Sequence, residues 1–459
     1  MTDHVFREYD IRGVAERDLT SDLALRLGRA LAEMLAPQGR APRLVVARDC
    51  RLSGERLVGA LIEGLIQGGA HVTDVGVGPT PLMYFGVHHF DADGGIMVTG
   101  SHNPAEDNGF KIMKGKASFF GQDLLALRQR VKAPFATPNQ PGSVVRANVD
   151  DAYVEAVTSR VTLGPARFPF VIDAGNGASG PLAQRVLAKL GLVATEMYCE
   201  MDGRFPNHHP DPTVPKNLEH LIAQVAKDGA LVGIAFDGDG DRVGVVDKTG
   251  EIIWGDRLLA LCARTVLRAL PGSAVLGDVK CSQVLFDDVA RHGGRPIMFK
   301  TGHSLIKTKM KEEHAVLAGE MSGHFFFADR FFGYDDAIYA ALRVLEILTQ
   351  EGKSVGELLS DLPVTFSTPE LRFDCPDELK FQVVQAATLA LEGTGSSNKI
   401  DGVRVTWPDG AWGLVRCSNT GPIIVMRFEA PSEARLAEVR ALVEAVVTRA
   451  KAQLQAQTS

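Results

Sequence analysis

A run of apolar residues ending in aspartate occurs three times along the chain, and each time the same pattern follows. A polar turn comes next, then a stretch with apolar positions three and four apart, then a glycine, then a second apolar run. The copies are RLVVARDCRLSG, ERLVGALIEGLIQGG and AHVTDVG from Arg43 to Gly76; FPFVIDAGNGASG, PLAQRVLAKLG and LVATEMY from Phe168 to Tyr198; and SAVLGDVKCSQ, VLFDDVARHGG and RPIMFKTG from Ser273 to Gly302. Continuous apolar runs bounded by turn residues predict buried strands, and the 3.6-residue period between them predicts a helix. The glycine before each second run fits the C-terminal cap of that helix. Units of this length pair their strands in parallel through a right-handed crossover.

After about Pro363 the pattern changes. Short runs (LRFDC, GVRVTW, GLVRCS, IIVMRFEA) precede a single helix expected from about Ser432 to Gln455, which reads as a small α+β unit. The stretch Ala133 to Ala147, rich in Pro, Gly and Ala, reads as a linker. The expected fold class is therefore α/β, with three related α/β domains (1–147, 148–252, 253–362) and a C-terminal α+β domain (363–459). Ligands of open α/β sheets gather beyond the carboxyl ends of the strands, so one central cleft fed by several domains is expected.

Composition narrows the class. With 45% hydrophobic and 23% charged residues, the 459-residue chain has enough apolar surface to fold. A net charge of −7 argues against a dedicated nucleic-acid binder but leaves room for small anions, since a few Arg and Lys in one cleft override a mildly acidic surface. Cysteines at 50, 199, 262, 281, 375 and 417 are too scattered for a disulfide framework, and no CxxC occurs. The first twenty residues are charged throughout, and the apolar stretch Leu258 to Leu270 is cut by Arg264 and Arg268. No signal peptide and no membrane span are read, so a cytoplasmic, reduced location without membrane partners is expected.

Four motifs carry chemistry. Val98-Thr99-Gly100-Ser101-His102-Asn103-Pro104 displays a serine in a Gly/Pro turn after the run GGIMV, with His102 able to supply charge or a proton. A serine hydroxyl is a weak nucleophile without a neighbouring base or metal, and the same residues also favour a plain turn. Phe236-Asp237-Gly238-Asp239-Gly240-Asp241-Arg242 follows LVGIA. Its three carboxylates at i, i+2 and i+4 would share one side of an extended segment and repel unless a cation sits between them. Oxygen-only ligands suit Mg²⁺, whereas an EF-hand is excluded by Arg242 at its sixth and Lys248 at its twelfth position.

The third motif, Gly175-Asn176-Gly177-Ala178-Ser179-Gly180, matches G-x-G-x-x-G between strand and helix, with Glu196 near the expected acidic position. It argues for a dinucleotide-binding oxidoreductase, although close strand–helix packing selects the same glycines. The fourth is a polar series: Lys300 to Ser304, Gly319 to His324, and Arg416 to Pro422. Glu320 and Ser322 suit vicinal hydroxyls, while Arg416 with Ser418, Asn419 and Thr420 suits a phosphate dianion. Three alternatives stay open on the residues alone. One is an aspartyl-phosphate phosphatase or mutase using Asp237 as nucleophile and Asp239 as acid/base, which expects Thr or Val where Asp241 stands. The others are an NAD-dependent enzyme on the GNGASG loop and a non-catalytic sugar-phosphate binder.

Taken together and in order, FREYDIRG (Phe6 to Gly13), TGSHNP, NGFK (Asn108 to Lys111), FDGDGDR, KTGHS, GEMSGH and RCSNTGP resemble the α-D-phosphohexomutases, most closely their phosphomannomutase/phosphoglucomutase branch. The resemblance covers nearly the whole chain and implies four domains around a deep cleft. It implies that hexose 1-phosphate and hexose 6-phosphate are interconverted, on mannose or glucose, through a hexose 1,6-bisphosphate. By resemblance Ser101 would be the phosphorylated serine, and Asp237, Asp239 and Asp241 would hold one Mg²⁺ with an oxygen of that phosphoserine. Arg12, His102, Lys111 and Arg242 would line the reaction centre beside Tyr9, with Lys111 a candidate general acid/base. Lys280 and His303 would contact the sugar, Glu320 and Ser322 its hydroxyls with His324 beside them. Arg416, Ser418, Asn419 and Thr420 would grip the phosphate that is not transferred. A monomer acting on sugar phosphates, supplying nucleotide sugars for polysaccharide, is the implied setting.

Overall fold

The computed structural model describes residues 3–135, 140–418 and 421–458. The three repeats fold as predicted. We number their core strands β1 (Arg43–Arg48), β2 (His71–Val77), β3 (Gly94–Val98) and β4 (Asp107–Lys114); β5 (Phe170–Asp173), β6 (Thr195–Met197), β7 (Val232–Phe236) and β8 (Val243–Asp247); and β9 (Ala274–Asp278), β10 (Arg295–Phe299), β11 (Leu317–Gly319) and β12 (Phe325–Phe327). The expected helices between first and second strands run Gly54–Gln67, Gly180–Lys189 and Gln283–Arg291.

Each sheet has the same spatial order: fourth strand, third, first, second. The first three strands are parallel and the fourth turns back antiparallel to the third. The connection from third to fourth strand therefore leaves the carboxyl end of each sheet as a hairpin. TGSHNP, DGDGDR and EMSGH are these three hairpins, so three motifs unrelated in composition occupy one topological place. One expectation is corrected. Within the stretch read as a linker, Ser143–Arg146 forms an edge strand parallel to β2, because Val144 and Val145 can continue the ladder opposite Val72 and Thr73.

A single apolar cluster runs through the first three sheets, from Val45 and Val87 through Val186 and Val232 to Leu259, Phe325 and Leu345. The helix Ala337–Glu351 lies within it, buried from Ala337 to Thr349, and its first N–H donates to the carbonyl of Gly240 at 3.1 Å. The fourth domain has its own core around Val383, Val405, Phe428 and Val443. Its sheet is antiparallel, built on Val403–Thr406, Trp412–Cys417 and Ile423–Ala430, and the last helix runs Glu433–Thr458. It docks on the third domain through polar groups and a small apolar cluster of Val279, Trp412 and Leu414. Arg404, its guanidinium 3.8 Å from the centre of the buried Trp412 ring, donates to the carbonyls of Val279 and Cys281 at 2.8 and 2.6 Å; Arg427 donates to that of Lys280. Among the described residues no helix is long and apolar enough to cross a membrane.

Candidate active site

Ser101 stands in the first hairpin at φ +51°, only 1% exposed, a conformation uncommon for a residue carrying a Cβ. Its Oγ donates to Asp237 Oδ2 at 3.3 Å across the domain boundary and lies 3.1 Å from His102 Nδ1. Burial, reinforced by Arg242 and Arg12, holds the His102 imidazole well below its ordinary range. His102 is thus a neutral hydrogen-bonding group, and the charge the sequence allowed it is absent. Arg12 bonds Asp10 at 2.7 Å and Asn103 Oδ1 at 3.0 Å, bracing the far side of the hairpin.

The second hairpin corrects a geometric expectation. The three carboxylates do not line one side of an extended segment, because the chain turns directly after β7. Asp237 Oδ1 accepts from the N–H groups of Asp241 and Arg242 at 3.0 and 3.1 Å, and Gly240 sits at φ +74°. The turn brings one oxygen each of Asp237, Asp239 and Asp241 within 4.8 Å of one another, all fully buried. Lys111 places its ammonium on Asp239 Oδ2 at 2.6 Å and on Asp241. Burial lowers the Lys111 pKa, but Asp239 and Asp241 outweigh it, so the amine is held charged. Burial and the two neighbouring carboxylates push Asp237 well above the carboxylate range; for Asp241 the opposing pull of Lys111 and His324 wins over burial. Oδ1 of Asp239 accepts no hydrogen bond. A buried, all-oxygen, multiply anionic set with acceptor capacity left over fits a hard divalent cation such as Mg²⁺.

The third hairpin meets the second. Glu320 Oε1 accepts from the Gly302 N–H at 2.7 Å, and Oε2 lies 2.7 Å from His324 Nδ1; His324 Nε2 lies 3.2 Å from Asp241 Oδ1. Burial alone would lower the His324 pKa, yet Asp241 and Glu320 hold it at about 9 against Arg242 as well. Burial would raise Glu320, but its bond to His324 takes it to about 2. A charged imidazole therefore bridges two hairpins, with Ser322 Oγ 3.2 Å from its Nδ1. His303 follows Gly302, where an added Cβ would fall 2.7 Å from the Tyr9 ring. It faces Asp335 Oδ2 at 3.3 Å, and Tyr9 donates to the Thr301 carbonyl at 3.0 Å.

In the fourth domain Arg416 Nε donates to Asp401 Oδ2 at 2.8 Å, and the same oxygen accepts from Thr301 N–H at 3.1 Å. Lys280 donates to Glu370 at 3.2 Å. The buried Lys380 donates to the carbonyls of Ser418 and Gly421 at 2.8 and 3.1 Å, just beyond the strand that carries Arg416. Asn419 and Thr420 lie outside the described residues. The structure thus gathers Ser101, His102, Lys111, Arg12, Arg242 and the three aspartates at one junction of three hairpins. Lys280, Arg416 and Ser418 belong to its fourth-domain side.

The GNGASG loop is consumed by this construction. Ala178 N–H donates to the Gly238 carbonyl at 2.9 Å, and a Cβ on Gly177 would meet that same oxygen at 2.9 Å. Gly177 admits the DGDGDR hairpin, while Gly175 faces Pro210 and Gly180 the Cys199 carbonyl, which leaves no cradle for a pyrophosphate. Both Asp237 oxygens are engaged, one by backbone N–H groups and one by Ser101, so Asp237 is not presented as a nucleophile. Sequence reasoning passed over Arg51, Thr80, Asp335, Glu370, Lys380 and Asp401. Thr80 donates to Asp239 from the start of a helix in another domain, a relation without local spacing. Arg51 did carry a signal, standing two residues after the first aspartate-ended run.

Comparison with known proteins agrees with this geometry. Family models described as phosphoglucomutase/phosphomannomutase match in order: alpha/beta/alpha domain I over 3–134, domain II over 151–250, domain III over 254–366 and the C-terminal domain over 370–446. A phosphomannomutase/phosphoglucomutase of Pseudomonas putida is 45% identical over 456 residues, 99% of this chain and 98% of that protein. A solved phosphoglucomutase/phosphomannomutase family protein from Burkholderia thailandensis is 43% identical with a TM-score of 0.91, covering 98% of each chain. An N-acetylphosphoglucosamine mutase of Aspergillus fumigatus, solved with GlcNAc-6P and magnesium, shares the fold at a TM-score of 0.64 and 14% identity, over 96% of this chain and 95% of that one. With four domain models in sequence and relatives alike from end to end, the chain belongs to the phosphoglucomutase/phosphomannomutase family.

Proposed function

We propose that this chain is a phosphohexomutase that interconverts hexose 1-phosphate and hexose 6-phosphate, of mannose or glucose, through a phosphoserine at Ser101. The observation that carries the reading is the approach of Ser101 Oγ to 3.3 Å from Asp237, at the edge of a buried carboxylate triad. A bare serine beside three carboxylates gains nothing from them; a phosphoserine sharing a cation with them does. Asp237, Asp239 and Asp241 would hold Mg²⁺, which when bound offsets charge on the transferring phosphoryl group.

The chain's own residues do the rest. A sugar hydroxyl oxygen attacks phosphorus, the P–Oγ bond breaks, and Ser101 Oγ takes a proton; the resulting hexose 1,6-bisphosphate turns and returns its other phosphate by the reverse step. Lys111, held charged by Asp239 and Asp241, suits the role of proton donor. Glu320 and Ser322 accept and donate to sugar hydroxyls, and Arg416 with Lys280 grips the phosphate that stays. That both cations start on carboxylates, Asp401 and Glu370, lets an incoming phosphate exchange for one anion rather than dehydrate a free cation. The test is the intact mass of freshly purified protein beside Ser101→Ala, with mutase assays on glucose and mannose 1-phosphates. One phosphoryl group on the wild type, none on the variant and lost activity support the reading. An active Ser101→Ala protein overturns it.

A further inference from the structure

The aspartate ending each repeated first strand has no part in the chemistry above, yet it is buried in all three domains: Asp49, Asp173 and Asp278 are 1% exposed or less. Asp49 and Asp278 are bonded to hairpins that carry the site, and Asp173 to the neighbouring loops of its own domain. Asp278 accepts from Thr301 Oγ1 at 2.8 Å and from the Met321 N–H of the third hairpin at 3.2 Å. Asp173 accepts from the Gly175 N–H at 2.9 Å and pairs with His208 at 3.0 Å.

Asp49 is the most developed case. Its Oδ2 accepts from Thr99 Oγ1 at 2.7 Å, and Thr99 Oγ1 in turn accepts from the Ser101 N–H at 2.8 Å. Its Oδ1 accepts from the Arg51 N–H at 2.9 Å, and its Oδ2 lies 3.2 Å from Arg51 Nε. The guanidinium of Arg51, with no exposed surface, then donates to the carbonyls of Ser101 at 2.8 Å, Asn103 at 2.6 Å, Asp107 at 2.9 Å and Pro104. Four carbonyls of one hairpin thus converge on a single planar cation. Gly100 makes room for it: a Cβ there would fall 2.6 Å from the centre of the guanidinium. The Phe205 ring of the second domain covers the group at 5.2 Å.

We propose that Asp49, Arg51 and Thr99 are positioning residues that hold Ser101 at its left-handed φ, with its oxygen aimed at the metal hairpin. The proposal rests on the reading of Ser101 as the phosphorylated residue. A left-handed non-glycine residue costs free energy and persists only where its surroundings over-determine it; here the Ser101 N–H and C=O are each held by this network. Because neither Asp49 nor Arg51 touches a sugar-binding side chain named above, loosening them should act on phosphoryl transfer and spare substrate affinity. It should also let water compete. Water oxygen attacks phosphorus, the P–Oγ bond breaks, Ser101 Oγ takes a proton and inorganic phosphate leaves.

The experiment uses the full-length protein with Mg²⁺ and compares wild type, Arg51→Lys and Thr99→Val. Lysine keeps the charge but loses the planar fork; valine keeps the shape but loses the bridge to the Ser101 N–H. Three readouts are taken: kcat and KM for glucose 1-phosphate, the lifetime of the phosphoenzyme without sugar by intact mass, and the melting temperature. For Arg51→Lys we expect kcat to fall about 100-fold with KM within about threefold, as for a misplacement near 1 Å. For Thr99→Val the fall should be about tenfold, and in both the phosphoenzyme lifetime should shorten. A lower melting temperature with unchanged kcat and lifetime means a merely structural role and overturns the proposal. If Arg51→Lys does not fold, Thr99→Val decides alone, and wild-type kcat and lifetime in that variant overturn it equally. The premise fails separately: wild type would then carry no phosphate on Ser101, and Ser101→Ala would stay active.

Discussion

In the reading proposed above, the Ser101 hairpin and the Arg416–Lys280 pair both serve a phosphoryl group, yet they are built in opposite ways. The backbone N–H and C=O of Ser101 are held by Thr99 and Arg51, Thr99 in turn by Asp49, and its hydroxyl by Asp237 from the next domain. Arg416 and Lys280 are instead paired with Asp401 and Glu370, carboxylates that a phosphate can replace one for one. One apolar cluster connects the first three domains, while the fourth docks through Arg404, Arg427 and Glu429 around a small apolar contact of Val279 with Trp412 and Leu414. The difference follows from the task. The transferring group needs one fixed geometry, whereas the grip must take a phosphate from either end of a sugar and release it.

The largest expected effect tests the fixed end. Ser101→Ala should lower mutase activity by orders of magnitude with the fold intact, since one oxygen carries both half-reactions; turnover near wild type with bisphosphate supplied would place the nucleophile elsewhere. Chelation should come next. Removing divalent ions with EDTA should abolish activity and Mg²⁺ should restore it, because three buried carboxylates flank the transferring group. Full activity after exhaustive chelation would contradict that.

Arg416→Ala tests the exchangeable end. Truncating a charge-assisted contact costs about 2–4 kcal/mol, or roughly thirty- to several-hundred-fold in kcat/KM, spread over both constants. Arg416→Lys should recover part of it, because an ammonium lacks the fork. Serine phosphorylation should survive in both, and its loss would mean the two ends are one unit. Glu370→Gln, which removes a replaceable partner of Lys280, should move KM by less than about fivefold with kcat nearly unchanged. A large fall in kcat would make Glu370 part of the machinery rather than a stand-in for phosphate.

The smallest effect concerns the bridge between the second and third hairpins. The folded pKa of His324, about 9, lies above its ordinary 6.5 because Asp241 and Glu320 outweigh burial. Its contribution to stability is therefore complete below pH 6.5 and lost as pH rises through about 9. In metal-stripped protein, the difference in melting temperature between wild type and His324→Gln should shrink over that window. A constant difference would mean the imidazole is not charged in the fold.

Much of this was legible in the chain. Apolar periodicity marked the three repeats and the change of pattern after Pro363, since burial of a strand or a helix face imposes its period on consecutive residues. Side chains that act from within one hairpin, such as Asp237 to Asp241 or Glu320 to His324, also announced themselves, because their partners are a few residues away. Even so, local spacing misjudged how the aspartates converge: the tight turn after Phe236, held by the Asp237 carboxylate, was not visible in their alternation. The GNGASG loop was ambiguous for a related reason, as glycine records only that something comes close. What comes close is the Gly238 carbonyl, sixty residues away, and no nucleotide.

By itself, then, the sequence determined the repeated sheets, the four-domain plan and the residue types that carry the chemistry, because these depend on patterns short enough for one segment to contain. Only the tertiary structure decided that three dissimilar motifs stand at the same turn of three like sheets. It alone paired Thr80 with Asp239 and Arg416 with Asp401, and it set a buried arginine after the first strand on the carbonyl of Ser101. Such pairings are made by packing between segments 15 to 159 residues apart, where the energy of a contact leaves no periodic trace in either partner.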